Sequence, residues 1–426
     1  MTKKLDLEHI TKIEGHAKLY VKVADGKVEN VELRVLEGAR YFEGILKERK
    51  YNDVSHIASR ICGICSVVHT ITAIKAVENA FGVEVTEQTR RLREVLNIGG
   101  MIQSHALHLY FLTLPDYLGV DGAIDMTKSY RTLIDRALRL KRLGNNLVST
   151  LAGRDVHPIA CVIGGFSTLP AKEQVAALLS ELQDRKEDAV ETVKMFLNLK
   201  YPEFKKPAPH FALTGKSYFY SDTIVQCEGG TCFPIKDYDE HFKQFFREGS
   251  TAEFATKEGK SYFVGALARV CNNYELLSSE AKQLGKPIVA NKDNPFMNIP
   301  AQALEMLEGI NRSIVLLSDL DLSQESCVEN CVKPCACEGV AACEAPRGIL
   351  FHKYKFDEDG FCTYADITTP TTQNLQHLEE AIKELVDMIL DKSPDDIKLE
   401  IEKLIRAYDP CISCSTHFLQ LEWEAE

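Results

Sequence analysis

Two pairs of cysteines with the same spacing stand near opposite ends of the sequence. Cys62 and Cys65 lie in RICGICSVVHT, and Cys411 and Cys414 lie in DPCISCSTH. Four thiolates form a ligand set for soft metals, and on spacing alone a structural zinc site, an iron–sulfur cluster, a nickel site and a redox pair all remain open. The pattern predicts a metal site that joins the first and last parts of the fold.

Polar residues flank both cysteine pairs in a way that favours a reactive site over a structural one. Arg60, His69, Asp409 and His417 place charges and hydrogen-bond donors near the predicted thiolates, and such neighbours tune a metal and its ligands. Structural zinc sites usually close short loops, whereas this chain is long enough to fold around its own core. We therefore expect chemistry at the metal.

The composition indicates a globular protein that does not bind nucleic acid. The 426 residues are 45% hydrophobic and 26% charged, with a net charge of −12 that repels polyphosphate. No signal-peptide core stands at the N-terminus and no run of about 18 apolar residues occurs, so we expect a cytoplasmic protein without a membrane span. The 14 cysteines then indicate thiols and metal ligands rather than disulfides.

The hydrophobic pattern predicts an α+β fold that forms one intertwined domain over residues 1–426. Alternating apolar and polar residues surround Asp25-Gly26 and Asp359-Gly360, which is typical of β hairpins. Long segments with helical periodicity predict a large central bundle, to which a small N-terminal antiparallel sheet and peripheral hairpins are added. The predicted helices cover 71–82, 88–113, 128–151, 171–198, 263–284, 299–320, 372–391 and 393–409.

The motifs around both cysteine pairs resemble those of a known family. R-x-C-G-x-C-x3-H and D-P-C-x2-C-x2-H resemble the two signature motifs of the nickel–iron hydrogenase large subunit. The resemblance continues through TKIEGH, EGARYFEG, SHALHLYFLTLPD, EAPRG and TTPTTQN, and it departs at Lys12, where many relatives have arginine. The length and the ending AYDPCISCSTH are most similar to the cytoplasmic multisubunit branch, which includes sulfhydrogenases and cofactor-reducing hydrogenases.

The resemblance implies a nickel–iron centre and a separate site for a hard cation. All four cysteines would bind nickel, and Cys65 and Cys414 would also bridge to an iron that carries carbon monoxide and cyanide. Soft thiolates suit nickel and leave a position open for dihydrogen. Glu43, His417 and the backbone carbonyl of Ile367 would bind Mg²⁺ or a similar ion.

The resemblance also assigns the groups that move protons and shape the open position. Cys411 would be the first proton acceptor, and Glu14 would be the next station because a carboxylate near a thiol can relay a proton. Arg347 would hang over the open position beside Asp116 and Asp409, as a charged canopy that polarises dihydrogen.

Two further side chains would act on the ligands of the metals. His69 would hydrogen-bond the sulfur of Cys65 and tune the centre from outside it. Thr371, next to Pro370, would hold a cyanide ligand. The acidic segment 418–426 would be a maturation extension, removed once nickel is loaded.

The electrons released from hydrogen must leave through other proteins. The sequence contains no G-x-G-x-x-G after a strand and no phosphate-cradling loop for a flavin or a nicotinamide. The resemblance implies a small subunit with iron–sulfur clusters, together with electron-transfer subunits that bind flavin or nicotinamide.

A second group of cysteines precedes Arg347 in CVENCVKPCACEGVAACEAPRG and lies outside the family motifs. Such density could bind an additional iron–sulfur cluster, although the spacing matches no standard ferredoxin and free thiols, zinc or labile disulfides are alternatives. These cysteines are Cys327, Cys331, Cys335, Cys337 and Cys343.

Two other classes of protein remain open from the sequence. The first is a structural or interaction protein stapled by zinc. The second is a non-catalytic relative that resembles the quinone-site subunit of respiratory complex I, and the presence of all four cysteines argues against it.

Overall fold

A computed structural model describes residues 3–7, 10–38, 40–221, 224–227, 230, 232–322 and 332–416. His417, Cys327, Cys331 and segment 418–426 lie outside the described residues. The helices are α1 (Phe42–Leu46), α2 (Val54–Ala58), α3 (Ser66–Phe81), α4 (Glu87–Leu107), α5 (Leu114–Leu118), α6 (Ala123–Ser129), α7 (Arg131–Ala152), α8 (Lys172–Leu197), α9 (Tyr238–His241), α10 (Ala266–Asn272), α11 (Ser279–Ala290), α12 (Asn298–Ser318), α13 (Pro370–Met388) and α14 (Pro394–Ala407). The strands are β1 (Lys3–Leu7), β2 (Ala17–Ala24), β3 (Lys27–Val35), β4 (Cys161–Val162), β5 (Gly165–Phe166), β6 (His210–Thr214), β7 (Ile224–Cys227), β8 (Cys232–Pro234), β9 (Phe242–Phe246), β10 (Glu253–Lys257), β11 (Phe263–Val264), β12 (Cys337–Ala345), β13 (Gly348–Phe356) and β14 (Cys362–Thr368).

Two antiparallel sheets contain the predicted hairpins. Asp25 and Gly26 connect β2 to β3 with φ angles of 50° and 75°, the left-handed pair that a tight hairpin turn requires. β1 pairs with β2 and completes the small N-terminal sheet. β12, β13 and β14 form the second sheet, and Gly360 turns β13 into β14 with a φ of 79°. Both hairpin predictions are confirmed.

The long helices pack around α4, which lies in the centre of the bundle. A methyl group on Gly144 of α7 would lie 2.7 Å from the backbone oxygen of Gly99 in α4, and one on Gly309 of α12 would lie 2.8 Å from Ile98. These contacts leave no room for a larger side chain, so the two glycines set how closely α7 and α12 approach α4. Among the described helices, none has the length and apolar character needed to cross a bilayer.

The predicted helix 263–284 is wrong. Residues 263–264 form β11 instead, Gly265 follows with a φ of 138°, and α10 and α11 then replace the single helix. Ser278 starts α11 because its hydroxyl accepts a hydrogen bond from the Ala281 N–H at 3.5 Å. The apolar spacing was compatible with one helix, but glycine in a left-handed conformation and a serine cap divide it.

The predicted helix 88–113 also changes character near its end. α4 ends at Leu107, and His108–Thr113 form a π-helical segment before α5 begins. Such segments shift the direction of side chains within a helix and often occur at functional sites.

Distant parts of the chain meet where the two cysteine pairs lie. Cys65 immediately precedes α3, and Cys411 follows α14, so each pair stands at a helix end as predicted. Glu14 forms a parallel β-bridge with Cys411, and the Ile412 N–H donates to the Glu14 carbonyl at 2.9 Å. The bridge holds the start of the sequence against the second pair.

Candidate metal centre

The four motif cysteines form one buried cluster. One sulfur atom from each of Cys62, Cys65, Cys411 and Cys414 lies within 4.8 Å of all the others. The Cys62 and Cys411 sulfurs are 3.3 Å apart, and those of Cys411 and Cys414 are 3.1 Å apart. Sulfurs around a tetrahedral metal with bonds of about 2.3 Å are separated by about 3.8 Å. The donor set therefore fits a thiolate-bound metal, and it is the one group of three or more metal-binding side chains among the described residues.

Two of the clustered thiols have pKa values shifted in opposite directions. Hydrogen bonds from Cys411, Cys414 and Cys65 lower the pKa of Cys62 well below its usual value, whereas burial raises the pKa of Cys411. One thiolate is thus stabilised by the other thiols. Binding of a cation displaces the remaining protons, because metal ligation requires thiolates.

Arg347 lies directly over this cluster. It occupies the two-residue turn Pro346-Arg347 between β12 and β13, where Ala345 pairs with Gly348. Its Nε donates to the Asp409 carbonyl at 2.7 Å, its Nη2 to Asp409 Oδ1 at 2.9 Å, and its Nη1 to Cys65 Sγ at 3.3 Å. The guanidinium is buried and bound on both sides, so it presents a positive charge in a fixed orientation.

Asp409 is the expected partner of Arg347. Its carboxylate is held by Gln302, which was not predicted from the sequence. Gln302 Nε2 donates to Asp409 Oδ2 at 3.0 Å, and Gln302 Oε1 lies 2.6 Å from His108 Nδ1. Asp409 has a φ of 49°, a conformation that aspartate tolerates better than most residues. The available signal was a glutamine within the apolar stretch NIPAQALEML.

Asp116 pairs with Lys12 and Arg406, whereas the resemblance had placed it beside Arg347. Its carboxylate accepts a hydrogen bond from Lys12 Nζ at 2.7 Å, and it forms an ion pair with Arg406. Arg406 also donates to the Thr11 carbonyl at 2.9 Å. Asp116 therefore links residues 11 and 12 to the end of α14, and Lys12 supplies a cation at the position where many relatives have arginine.

Glu14 touches the cluster from the solvent side. Its Oε2 accepts a hydrogen bond from Cys411 Sγ at 3.2 Å and from the Ser413 N–H at 2.9 Å. The side chain is half-buried. The geometry therefore puts a carboxylate between a cluster sulfur and the surface.

His69 lies beside the second cysteine pair. Its Nε2 lies 3.8 Å from Cys414 Sγ, and the hydrogen bond to Cys65 that the family resemblance implied stays a prediction. Its Nδ1 lies 3.1 Å from His352 Nε2, and His352 Nδ1 lies 2.6 Å from the Tyr354 hydroxyl. His352 and Tyr354 were not predicted, because their proximity depends on the packing of β13 against α3.

Thr371 lies next to the second cysteine pair. Its hydroxyl accepts a hydrogen bond from the Cys411 N–H at 3.0 Å. Pro370 is the first residue of α13, a position that tolerates proline because no N–H is needed there. The start of α13 therefore fixes the backbone of a cluster residue.

The proposed hard-cation ligands lie close together where they are described. Glu43 Oε1 accepts a hydrogen bond from the Ile367 N–H at 2.8 Å. Burial raises the pKa of nearby Glu253 well above its usual value, and the charges of Glu43 and Asp366 raise it further. Glu253 is buried, whereas Glu43 and Asp366 are half-buried, and Glu253 was not predicted from the sequence.

The second group of cysteines cannot form a single cluster with all five members. Cys343 is buried within β12, six positions after Cys337, which corresponds to about 20 Å along a strand. The prediction of one cluster with all five cysteines was therefore wrong, because Cys337 and Cys343 cannot both bind it. Cys335 is exposed and lies two residues before β12, and Cys337, the first residue of β12, is half-buried.

Comparisons with known proteins agree with this geometry. A family model for nickel-dependent hydrogenases matches residues 40–136 and 257–417. Sulfhydrogenase 1 subunit alpha of Pyrococcus furiosus is 38% identical over 425 residues, covering 98% of both chains. Sulfhydrogenase 2 subunit alpha of the same organism is 30% identical over 430 residues, covering 98% of this chain and 100% of the relative. A crystal structure of an NAD⁺-reducing [NiFe]-hydrogenase matches with a TM-score of 0.88 at 24% identity, over 97% of this chain and 99% of the other.

The chain belongs to the nickel-dependent hydrogenase family, and its fold is that of the hydrogenase large subunit. It is an oxidoreductase and the catalytic subunit of a nickel–iron hydrogenase, as the motifs implied. The comparisons do not favour the zinc-stapled protein or the complex I relative.

Proposed function

We propose that the four cysteines hold a nickel–iron centre, with carbon monoxide and cyanide on the iron, and that the chain catalyses the reversible cleavage of dihydrogen to protons and electrons. When bound, the centre supplies soft, redox-active metals that polarise dihydrogen. The observation that carries the proposal is the cluster of four buried sulfurs within 4.8 Å beneath the Arg347 guanidinium.

Metal analysis and infrared spectroscopy test this proposal most directly. Protein made together with its maturation machinery should contain nickel and at least an equal amount of iron, and it should show carbonyl and cyanide stretches. Zinc as the only metal would support the structural alternative and reject the proposal.

We propose two roles for the side chains around the cluster: one group accepts and relays the proton, and another holds a fixed positive charge. Cys411 Sγ accepts the proton and passes it to Glu14 Oε2, the carboxylate oxygen 3.2 Å away. Asp409 holds the buried Arg347 guanidinium in place, so that it keeps a fixed positive charge beside the sulfurs.

Substitution Glu14→Gln is expected to leave nickel content unchanged and to slow exchange between dihydrogen and solvent protons by about 100-fold or more, because an amide cannot relay a proton. Exchange into deuterated buffer, followed by mass spectrometry of the gas, measures the effect. Glu37→Gln is the matched control, since Glu37 accepts the His16 N–H at 3.0 Å close to Gly15. Normal exchange in Glu14→Gln would move the relay elsewhere.

A magnesium or similar ion is proposed at Glu43, the Ile367 carbonyl and His417. The hydrogen bond between Glu43 and residue 367 supports the position, because hard cations prefer oxygen ligands. Removal of 418–426 would leave the His417 carboxylate beside this ion, and the intact mass of active enzyme reports whether removal occurs.

One surface fits an electron-accepting partner because the turn between Cys62 and Cys65 reaches solvent there. Gly63, between the first two ligands, is exposed although Cys62 and Cys65 are buried. The Arg40 guanidinium donates to the Ile61 carbonyl, two residues before Gly63. His157 Nδ1 lies 3.0 Å from the Ser59 carbonyl, four residues before Gly63.

Apolar side chains close in sequence to Arg40 and His157 remain exposed. Tyr41, Ile45, Val156 and Ile159 are between 40% and 47% exposed, and together with Gly63 they form what we call the Gly63 face. We propose that a small subunit with iron–sulfur clusters covers this face. The similar relatives are named as alpha subunits, which favours a multisubunit enzyme, and the similar structure is of an NAD⁺-reducing hydrogenase, which favours further flavin- or nicotinamide-binding subunits. The cytoplasmic location stays a prediction.

The double substitution Ile45→Asp with Ile159→Asp is expected to weaken retention of the small subunit by about tenfold or more, because charges in the centre of an interface are costly. Co-purification through a tag on this chain measures retention. Val315→Asp is the control, because Val315 is 58% exposed and lies about 20 Å along α12 from Gln302. Equal retention in both variants would exclude this face.

An additional iron–sulfur cluster remains proposed for the four cysteines left after the removal of Cys343, namely Cys327, Cys331, Cys335 and Cys337. Substitution of Cys331 and Cys335 together by serine is expected to remove the iron of that cluster and to retain nickel. Iron and nickel counts per chain measure this. An unchanged iron count would reject the cluster.

A further inference from the structure

Arg269, in α10, is a buried guanidinium whose five N–H groups are all used. Its Nε and Nη2 donate to the two oxygens of Glu305 at 2.6 and 2.7 Å. Its Nη1 donates to Glu344 Oε2 at 2.9 Å and to the Ala345 carbonyl at 2.7 Å, and its Nη2 also donates to the Pro346 carbonyl at 3.0 Å. The side chain is 0% exposed.

The two carbonyls bound by Arg269 belong to the turn that carries Arg347. Ala345 is the last residue of β12, and Pro346 is the first residue of the turn. Arg347 follows at once and reaches Cys65 Sγ and Asp409. A change of about 1 Å in the turn would break the 3.3 Å contact to sulfur, and misplacement of that size is enough to lower catalysis strongly.

The simplest alternative to a functional role for Arg269 is a buried ion pair that only stabilises the fold. Arg93 provides that comparison within the same protein, because it is also 0% exposed and forms a two-point pair with Glu78 at 2.7 and 2.6 Å. Arg93 donates to the carbonyl of Val162, in β4, at 3.0 Å. Arg269 instead donates two hydrogen bonds to the turn that carries Arg347.

We propose that Arg269 is a positioning residue that fixes the turn at Ala345 and Pro346 and thereby sets the place of the Arg347 guanidinium. The role in turnover rests on the proposed hydrogenase function, whereas the clamp on the turn does not. Lysine cannot replace Arg269, because three donors on one atom cannot reach two carboxylates and two carbonyls in a planar arrangement.

Hydrogen–deuterium exchange on the metal-free chain tests the clamp independently of the metals. The amides of Arg347 and Gly348 are expected to exchange at least tenfold faster in Arg269→Lys than in the wild type or in Arg93→Lys. Wild-type exchange at this turn in Arg269→Lys would overturn the proposal. Glu305→Gln, which keeps the guanidinium and weakens its anchor, is expected to give a smaller increase and serves if Arg269→Lys does not fold.

Turnover tests whether the clamp acts through Arg347. At equal nickel content, Arg269→Lys is expected to lower kcat by about tenfold or more, and adding it to Arg347→Lys is expected to cause no further loss, because the two changes disable one unit. Any loss in kcat caused by Arg93→Lys is expected to multiply with the loss caused by Arg347→Lys, because the two residues act independently. Losses that multiply for Arg269→Lys as well would overturn the proposal, and a wild type without any turnover would instead reject the proposed function.

Discussion

Replacement of any one of Cys62, Cys65, Cys411 or Cys414 by alanine is expected to abolish nickel retention and hydrogen turnover. Each change removes one anionic ligand from a buried site whose four sulfurs lie within 4.8 Å of one another. We expect losses of more than about 100-fold, because changes to groups that merely orient metal ligands already cost 10–100-fold. Nickel per chain and hydrogen-dependent dye reduction measure both effects.

Cys161→Ala is the matched control for this series. Cys161 is a buried thiol that is not one of the four clustered sulfurs, so its loss should leave nickel content and turnover near wild type. Full activity in any of the four ligand variants would contradict the assignment of that cysteine to the metal.

Arg347→Lys is expected to keep the metals and to lower kcat by about 100- to 1,000-fold. An ammonium group cannot contact Cys65 Sγ, the Asp409 carbonyl and Asp409 Oδ1 in one plane, as the guanidinium does. Loss of a fixed charge in a water-excluded site has effects of this size. Turnover at saturating hydrogen, compared at equal nickel content, measures the change.

Arg312→Lys controls for the general cost of losing a guanidinium. Arg312 is half-buried and donates to both oxygens of Glu94 at 2.7 and 3.2 Å, as part of α12. Its substitution is expected to affect stability more than turnover. If Arg347→Lys and Arg312→Lys slow the reaction equally, the canopy role is excluded.

The cysteine cluster could be predicted because its members are close neighbours within two short motifs. The spacing C-x2-C puts both sulfurs of a pair at one helix end, and the family resemblance brings the two pairs together. The partners contributed by other elements could not be predicted, since nothing in a single sequence shows that Gln302 of α12 reaches Asp409 or that Arg269 of α10 reaches the turn before Arg347.

The difference at Asp116 has a similar origin. The motifs predicted a residue near the centre, and the structure places Asp116 with Lys12 and Arg406. Which atom a side chain meets depends on the relative placement of several elements. The prediction of a single helix over 263–284 was wrong for a local reason instead. The apolar spacing fits one helix, but Gly265 and Ser278 interrupt it.

The meeting of the two cysteine pairs has a consequence for how the protein is made. Ribosomes add about 5–20 residues per second, so roughly 20–70 s separate the emergence of Cys62 and Cys65 from that of Cys411 and Cys414. During that time the first pair is a dithiol without its partners, open to oxidation and to capture of another soft metal. The yield of active protein should therefore fall when oxygen or competing soft metals are present during synthesis.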